Sequence, residues 1–339
     1  MKPIHYLKEN GTIALVAPSF GCASDPYKTR LEAAIANFKA DGFRLIEGEN
    51  IFLSRHKVRS NTARKCAKEF MEHYLSPDSD AVISVGGGEL MCEILPYIDF
   101  GKIRKAPHKF FMGFSDNTNL TYTLATISEV PTIYGPCFPS YGLKPYRYHV
   151  EDALNLLLGK TKITRGYPYW ERYGTSGENP LEEKNYSEKK TLRIYPNRPV
   201  EATGRLLGGC LDCLVTLCGT SFDRTKAYLE KYRDDGFIWF LEACDLNPVG
   251  IQRALFQLKE AGWFDHCRAF LLGRPLCYRK RVFGITHYRA IKEALGSLRV
   301  PIVMDADLGH FAPSMPIITG ALGTLKAFGN DISIEYPEI

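Results

Sequence analysis

The stretch Lys109-Phe110-Phe111-Met112-Gly113-Phe114-Ser115-Asp116-Asn117-Thr118 decides the fold. An apolar run of strand length stops at a serine, and the next three residues are of the kind that open helices. Upstream, residues 81–85 repeat the pattern, a buried strand closing on Gly86-Gly87-Gly88. Residues 12–17 form a third apolar run, ended by Pro18. Between these runs lie helical patterns. Asp25-Pro26 offers an N-cap with proline at the first helical position, and Leu31, Ile35 and Phe38 then share one face as far as Gly42. Residues 43–46 read as a short strand, and 61–74 as a helix with Phe70 and Met71 turned inward. Strands alternating with helices over some 150 residues predict an α/β fold, a mostly parallel sheet flanked by helices. Ligands of such sheets bind at the carboxyl ends of the strands, where both the triple glycine and Ser115 stand.

The texture changes between residues 165 and 198. Gly166, Pro168, Gly174, Gly177, Asn179-Pro180 and Pro196 are interspersed with charges and aromatics, so this stretch reads as a long loop or linker. Order returns afterwards. Residues 209–217 read as a helix, 237–241 as a strand, and Asn247-Pro248 caps a helix carrying Ile251, Leu255 and Leu258. A strand at 269–272 and a helix at 284–295 follow. Residues 324–328 and 332–336 around Gly329-Asn330-Asp331 read as a hairpin. At 339 residues the chain is long for one core, which predicts an N-terminal α/β domain over 1–165, a linker over 166–198 and a second domain over 199–339.

Composition narrows the function. Hydrophobic residues at 45% and charged residues at 24% describe an ordinary globular chain. A net charge of +5 is small for this length, and the one dense basic run, Arg279-Lys280-Arg281, reads as a solvated loop, so no nucleic acid is implied. Residues 1–10 lack the apolar core of a secretory signal, and no window approaches the ~20 apolar residues of a membrane span. The chain is therefore expected to be cytoplasmic, with no membrane partner and its ten cysteines reduced. Cys210 and Cys213 form a C-x-x-C with Cys218 nearby. With no second pair at zinc-finger spacing the quartet is incomplete, so core packing is the reading and no metal is expected.

Four places could carry chemistry. A serine held between a strand and a helix start presents its hydroxyl beside free backbone amides, which suits a nucleophile with an oxyanion site; an N-cap is the plainer reading of Ser115. Gly86-Gly87-Gly88-Glu89 lets the backbone approach a ligand, making Gly87 a candidate substrate contact. A tight turn would explain it as well, and the spacing fits neither a dinucleotide fingerprint nor a P-loop. Glu242, at the mouth of an apolar strand, needs a partner. His310 lies between Gly309 and Pro313, in a fixed loop rather than on a helix face. Glu242 and His310 could each be structural hydrogen-bonding groups. The order Ser…Glu…His permits a nucleophile, an orienting acid and a base, as in α/β-hydrolases. Here, however, the motif is Gly-Phe-Ser-Asp-Asn rather than G-x-S-x-G, which argues against that fold.

The stretches Ala17-Pro18-Ser19, Gly86-Gly87-Gly88, Ile94-Leu95-Pro96-Tyr97-Ile98-Asp99 and Phe110 to Asp116 together resemble the L,D-carboxypeptidase family of serine peptidases. Further matches are Gly208-Gly209, Gly219-Thr220, Leu241-Glu242 and Gly309-His310, in family order along nearly the whole chain. The family includes murein tetrapeptide carboxypeptidases and microcin C immunity peptidases. The resemblance implies Ser115 as nucleophile, Glu242 as orienting acid, His310 as base, and an oxyanion hole from the amides of Gly88 and Asp116. It also implies a flavodoxin-like first domain, a second domain rich in β-structure, a site between them, a homodimer and no cofactor. Two residues depart from the pattern, Asn117 where an apolar residue is expected and Leu308 before Gly309. The long 165–198 segment looks like that of the microcin-immunity branch. Trp170, with Tyr167, Tyr169 and Tyr173, could offer an aromatic face to a nucleobase, or could pack the segment against a domain. The expected substrate is a peptidyl- or aminoacyl-nucleotide-like amide, with a murein tetrapeptide ending in a D-amino acid as the alternative. A non-catalytic nucleotide- or peptide-binding protein on the same scaffold is the competing class.

Overall fold

The computed structural model describes residues 1–172 and 179–337. The chain builds five strands in its first half, β1 (Thr12–Val16), β2 (Arg44–Glu47), β3 (Ala81–Ser84), β4 (Phe110–Gly113) and β5 (Thr132–Tyr134). The middle of the chain adds β6 (Ile163–Arg165), β7 (Tyr169–Trp170), β8 (Glu188–Lys189) and β9 (Arg193–Tyr195). The second half supplies β10 (Val200–Cys210), β11 (Phe237–Glu242), β12 (Cys267–Gly273), β13 (Ile302–Ala306), β14 (Ile317–Thr319), β15 (Leu322–Phe328) and β16 (Asp331–Glu335).

These strands make two sheets. The first runs β14-β5-β4-β3-β1-β2 and is parallel except for β14, which pairs antiparallel with β5. The second runs β6-β16-β15-β10-β11-β12-β13-β9, with a parallel centre from β10 to β13 and antiparallel margins. The architecture is mixed α/β, a helix-flanked parallel sheet joined to a strand-rich second sheet, as the alternation predicts. The central strands are buried along both faces, which explains their near-continuous apolar sequences.

Successive residues of each strand feed opposite layers. Ile13 and Leu15 join one cluster with Leu31 and Phe38, whereas Ala14 and Val16 join another with Phe70 and Tyr74. Both layers continue into the second sheet, through Ile238 and Phe240 on one side and Trp239 and Leu241 on the other. The helix Thr118–Thr126 has all nine residues buried. Its Tyr122 stacks on Trp263 with ring centroids 5.1 Å apart and bonds Thr225 at 2.8 Å.

Some expectations shift. The first helix is Tyr27–Ala40, one residue later than the Asp-Pro pair suggests, and Asp25 accepts from the Thr29 N–H at 3.2 Å. Residues 209 and 210 are strand, not helix, because β10 runs through the glycines to Cys210 and the helix Leu211–Leu217 begins after them. The 166–198 stretch is not structureless. It contains the β7–β8 pair and sends β9 to the edge of the second sheet. Asn247 caps the helix Pro248–Glu260, accepting from the Gly250 N–H at 3.0 Å, and the terminal hairpin pairs Phe328 with Asp331. No described helix is long and apolar enough to cross a membrane.

Candidate active site

Ser115 follows β4 at its carboxyl end, on a single 3-10 turn that leads into the helix Thr118–Thr126. Its φ of 63° is left-handed, a conformation that costs a non-glycine residue on the order of 1–3 kcal/mol and persists only where the surroundings enforce it. Three contacts enforce it. Thr118 Oγ1 donates to the Ser115 carbonyl at 2.7 Å, Tyr134 Oη accepts from the Ser115 N–H at 3.0 Å, and the glycine turn after β3 presses on the side chain. A Cβ on Gly87 would stand 3.2 Å from Ser115 Cβ and 3.3 Å from its Oγ. Gly88 has φ 124°, and a Cβ there would fall 2.2 Å from Ser19 Oγ, so only glycine fits.

The residues after the serine are locked to the same turn. Asp116 is buried and its carboxylate accepts from Ser19 Oγ at 2.6 Å, from the Met91 N–H at 2.9 Å and from Asn119 Nδ2 at 2.9 Å. Asn117 donates from Nδ2 to the carbonyls of Gly86 and Phe114, each at 2.9 Å. That double bond explains the departure at this position: an amide ties the glycine turn to the serine turn where an apolar side chain could not. Among the described residues, the N–H groups of Gly88 and Asp116 find no acceptor within the protein.

The second half delivers the other two groups. Glu242 is the last residue of β11 and is 2% exposed. His310 follows β13 on the loop that begins with Asp307, Leu308 and Gly309. His310 Nδ1 lies 2.9 Å from Glu242 Oε2, and its Nε2 lies 2.9 Å from Ser115 Oγ. Residues 115, 242 and 310 thus form one hydrogen-bonded chain. Burial alone would lower the proton affinity of His310, but the Glu242 carboxylate outweighs it and raises the value above that of an ordinary histidine. Burial would raise Glu242, yet His310 and bonds from Tyr134 and Cys210 hold it below the usual carboxylate value. Such a chain can take a proton from the serine hydroxyl while the carboxylate fixes the imidazole tautomer.

A cavity of about 170 Å³ opens beside His310, with Phe114, Pro139, Leu143 and Ala312 among its apolar walls and Arg30 and Lys184 among its charged ones. A second recess holds Ser115 and Gly88 together with Cys210, Cys213 and Cys244. The Cys213 thiol is directed at the Ser115 carbonyl, 3.8 Å away. All ten cysteines are free thiols, and no cluster of potential metal ligands occurs among the described residues.

Trp170 is brought near this site but is not open to it. It is 2% exposed, with the Arg274 guanidinium 4.7 Å from its ring centre and Tyr278 and Phe311 edge-on at 5.3 and 5.2 Å. Its ring packs the segment against the loop that carries His310, and no free face remains for a base. Tyr167 is buried too, whereas Tyr169 is exposed; Tyr173 lies outside the described residues. Residues that sequence reasoning missed are Tyr134 and Ser19. Tyr134 ends a three-residue strand and is one of 19 tyrosines, so nothing local marks it.

A doubly wound parallel sheet with a strained serine at a strand end, joined to a second sheet that brings up an acid and a histidine, has the groups that a serine-type hydrolase uses. The family profiles agree. The LD-carboxypeptidase N-terminal domain matches residues 13–135 and the LD-carboxypeptidase C-terminal domain residues 203–325, and the chain belongs to the LD-carboxypeptidase family. Among relatives, it is 26% identical over 314 residues to the microcin C7 self-immunity protein MccF of Escherichia coli, covering 91% of this chain and 88% of that one. It is 24% identical over 308 residues to the murein tetrapeptide carboxypeptidase of Pseudomonas aeruginosa, covering 89% of each. Its fold matches the structure of MccF in complex with glutamyl sulfamoyl guanosine at a TM-score of 0.82, with 24% identity and 98% of both chains covered. The muramoyltetrapeptide carboxypeptidase of Oxalobacter formigenes matches at 0.73, with 22% identity, 96% of this chain and 99% of that one.

Proposed function

We propose that this chain is a serine carboxypeptidase with a Ser115–His310–Glu242 triad that hydrolyses an amide bond in a peptidyl- or aminoacyl-nucleotide-like compound. The observation that carries the reading is the unbroken chain of two 2.9 Å contacts from Ser115 through His310 to Glu242. Ser115 Oγ attacks the carbonyl carbon while His310 Nε2 takes its proton. The oxyanion is received by the N–H groups of Gly88 and Asp116, which have no other acceptor among the described residues. His310 then protonates the leaving nitrogen as the C–N bond breaks. A water activated by the same imidazole releases the acyl group from Ser115.

The substrate assignment is supported by the cavity beside His310, whose walls include Phe114, Pro139, Leu143 and Ala312, and by the similarity to MccF, whose solved complex holds glutamyl sulfamoyl guanosine. The second reading, removal of a terminal D-amino acid from a murein tetrapeptide, is favoured by the similarity to the murein tetrapeptide carboxypeptidase of Pseudomonas aeruginosa. Offering the protein a murein tetrapeptide and an aminoacyl sulfamoyl-adenylate side by side and comparing kcat/KM separates the two. Ser115→Ala is expected to remove turnover of either by on the order of 10⁴-fold or more. Binding of both compounds without turnover, indifferent to that substitution, would instead mark a non-catalytic binding protein. The family resemblance also supports a homodimer, and sedimentation velocity should then give a single species of twice the chain's mass.

A further inference from the structure

Glu242 has two carboxylate oxygens, and the triad uses only one. The other, Oε1, accepts a hydrogen bond from Tyr134 Oη at 2.8 Å. The same phenol oxygen accepts from the backbone N–H of Ser115 at 3.0 Å. The polarity of this bridge is settled by proton counting. An amide N–H can only donate, so the phenol oxygen accepts from Ser115 and spends its single proton on Glu242. Tyr134 is 1% exposed, and burial with the neighbouring Glu242 charge pushes its acidity far from neutral pH, so the proton stays on the phenol.

The geometry points to Tyr134 as a positioning residue that joins the orienting acid to the nucleophile's backbone, closing the Ser115–His310–Glu242 chain into a ring. This rests on the triad reading above. The ring gives Tyr134 three effects. It supplies the buried carboxylate with a second neutral donor, as a buried charge requires. It satisfies the N–H of a residue held at left-handed φ, where no backbone acceptor is in reach. It also fixes the register of the two sheets, because Tyr134 ends β5 of the first and Glu242 ends β11 of the second. The Ser115 N–H is thereby committed away from the oxyanion, so that role falls to Gly88 and Asp116. The other titratable groups facing the pair are Cys210, Cys213, Cys244 and Glu89, none of which the test alters.

The test is Tyr134→Phe, which deletes one oxygen and keeps the ring packed on Phe240. Its readout does not depend on knowing the substrate: the rate at which a small alkyl fluorophosphonate labels Ser115, measured against pH. In that reaction the Ser115 Oγ–P bond forms, the P–F bond breaks, fluoride leaves and His310 takes the hydroxyl proton. The wild type is expected to label at Ser115, and Ser115→Ala not at all. At neutral pH Tyr134→Phe should label about 10-fold more slowly, because a limb moved up by about one pH unit leaves a tenth as much neutral imidazole. Its acid limb should move to higher pH, because the unpaired Oε1 leaves more charge to hold the imidazolium. A merely structural loss would lower labelling equally at every pH and leave the limb in place. Labelling of Tyr134→Phe at the wild-type rate with an unmoved limb overturns the role of Tyr134 while leaving the triad standing. A slow variant with an unmoved limb also overturns it, whatever its melting temperature. Absence of labelling in the wild type overturns both, since no activated serine would then exist to position.

Discussion

A carboxylate that is 2% exposed keeps its charge only if its neighbours replace water, and Glu242 does so with an imidazole, a phenol and a thiol. The two members of the ion pair respond to pH in opposite senses. His310, whose proton affinity is raised, contributes stability that is fully present below its ordinary value of 6.5 and is lost as pH rises through the folded value. Glu242, whose value is lowered, contributes above 4.5 and loses its contribution as pH falls through the folded value. Catalysis asks for something different, a neutral imidazole beside an ionised carboxylate. The acid limb of kcat/KM is therefore expected above pH 6.5, so that activity is still rising where an isolated histidine would already be deprotonated. Glu242→Gln removes the charge that does most to raise His310 and leaves burial opposed by Cys244. The limb should then move to lower pH while the rate falls by on the order of 10⁴-fold. A wild-type limb at or below 6.5, or a limb indifferent to Glu242→Gln, contradicts the electrostatic account. Of these residues, Ser115, Glu242 and His310 were legible through the family resemblance, since singly each reads as a cap or a structural hydrogen-bonding group. Tyr134 was not, since a tyrosine closing a short buried strand looks like core until its hydroxyl is traced across the sheet boundary.

The turns that bring the strand ends together are built on glycines at positive φ, and Gly309 shows how little room they leave. Its φ is 105°, and a Cβ there would stand 2.8 Å from Glu242 Oε2. The glycine before His310 thus does more than turn the loop: it lets the backbone lie directly against the acid. Gly309→Ala is expected to push the loop off Glu242, lowering kcat by about 100-fold or more, as a displacement of about 1 Å at reacting groups does. It should also lower Tm by several degrees through strain of about 1–3 kcal/mol. Wild-type kcat in that variant, measured on whichever substrate is turned over, would show that the close approach is dispensable. Elements of this kind divide cleanly by legibility. Strands β3, β4 and β11 announce themselves as unbroken apolar runs because both their faces are buried. Strand β10 does not, since Val200 to Arg205 alternates buried and exposed residues and Gly208-Gly209 interrupts its end, so its last turn reads as helix. Those two glycines are required by packing: a Cβ on Gly208 would overlap the Phe240 carbonyl, and one on Gly209 would stand 2.6 Å from Thr118. Trp170 illustrates the remaining difficulty, because an aromatic in a loop-like stretch can serve solvent, ligand or core, and only the positions of Arg274, Tyr278 and Phe311 decide.

Across the whole molecule the two sheets are sewn together rather than docked. β14 comes from the second half yet completes the first sheet, pairing Ile317 with Tyr134 and Thr319 with Thr132. The helix Thr118–Thr126 comes from the first half yet lies against Trp239 and Trp263 through Tyr122, and its Thr118 Oγ1 accepts from the Cys210 N–H at 2.9 Å. Exchange of a three-residue strand leaves no periodic trace, so the boundaries drawn at 165 and 199 could not anticipate it. The consequence is cooperative. Separating the halves would expose a fully buried helix and unpair a sheet edge, together a loss comparable with a typical net stability of about 5–15 kcal/mol. Unfolding by urea is accordingly expected as one transition. Tryptophan emission reports the second half, because Trp170, Trp239 and Trp263 all lie beyond residue 165, whereas far-UV ellipticity reports both halves. The two signals should share a midpoint, and a fragment ending at Arg165 should show no cooperative transition of its own. Two separated midpoints, or a stable isolated fragment, would mean that the serine and its histidine ride on bodies able to move apart. The 2.9 Å contact between them would then be one arrangement of a hinge rather than a fixed property of the fold.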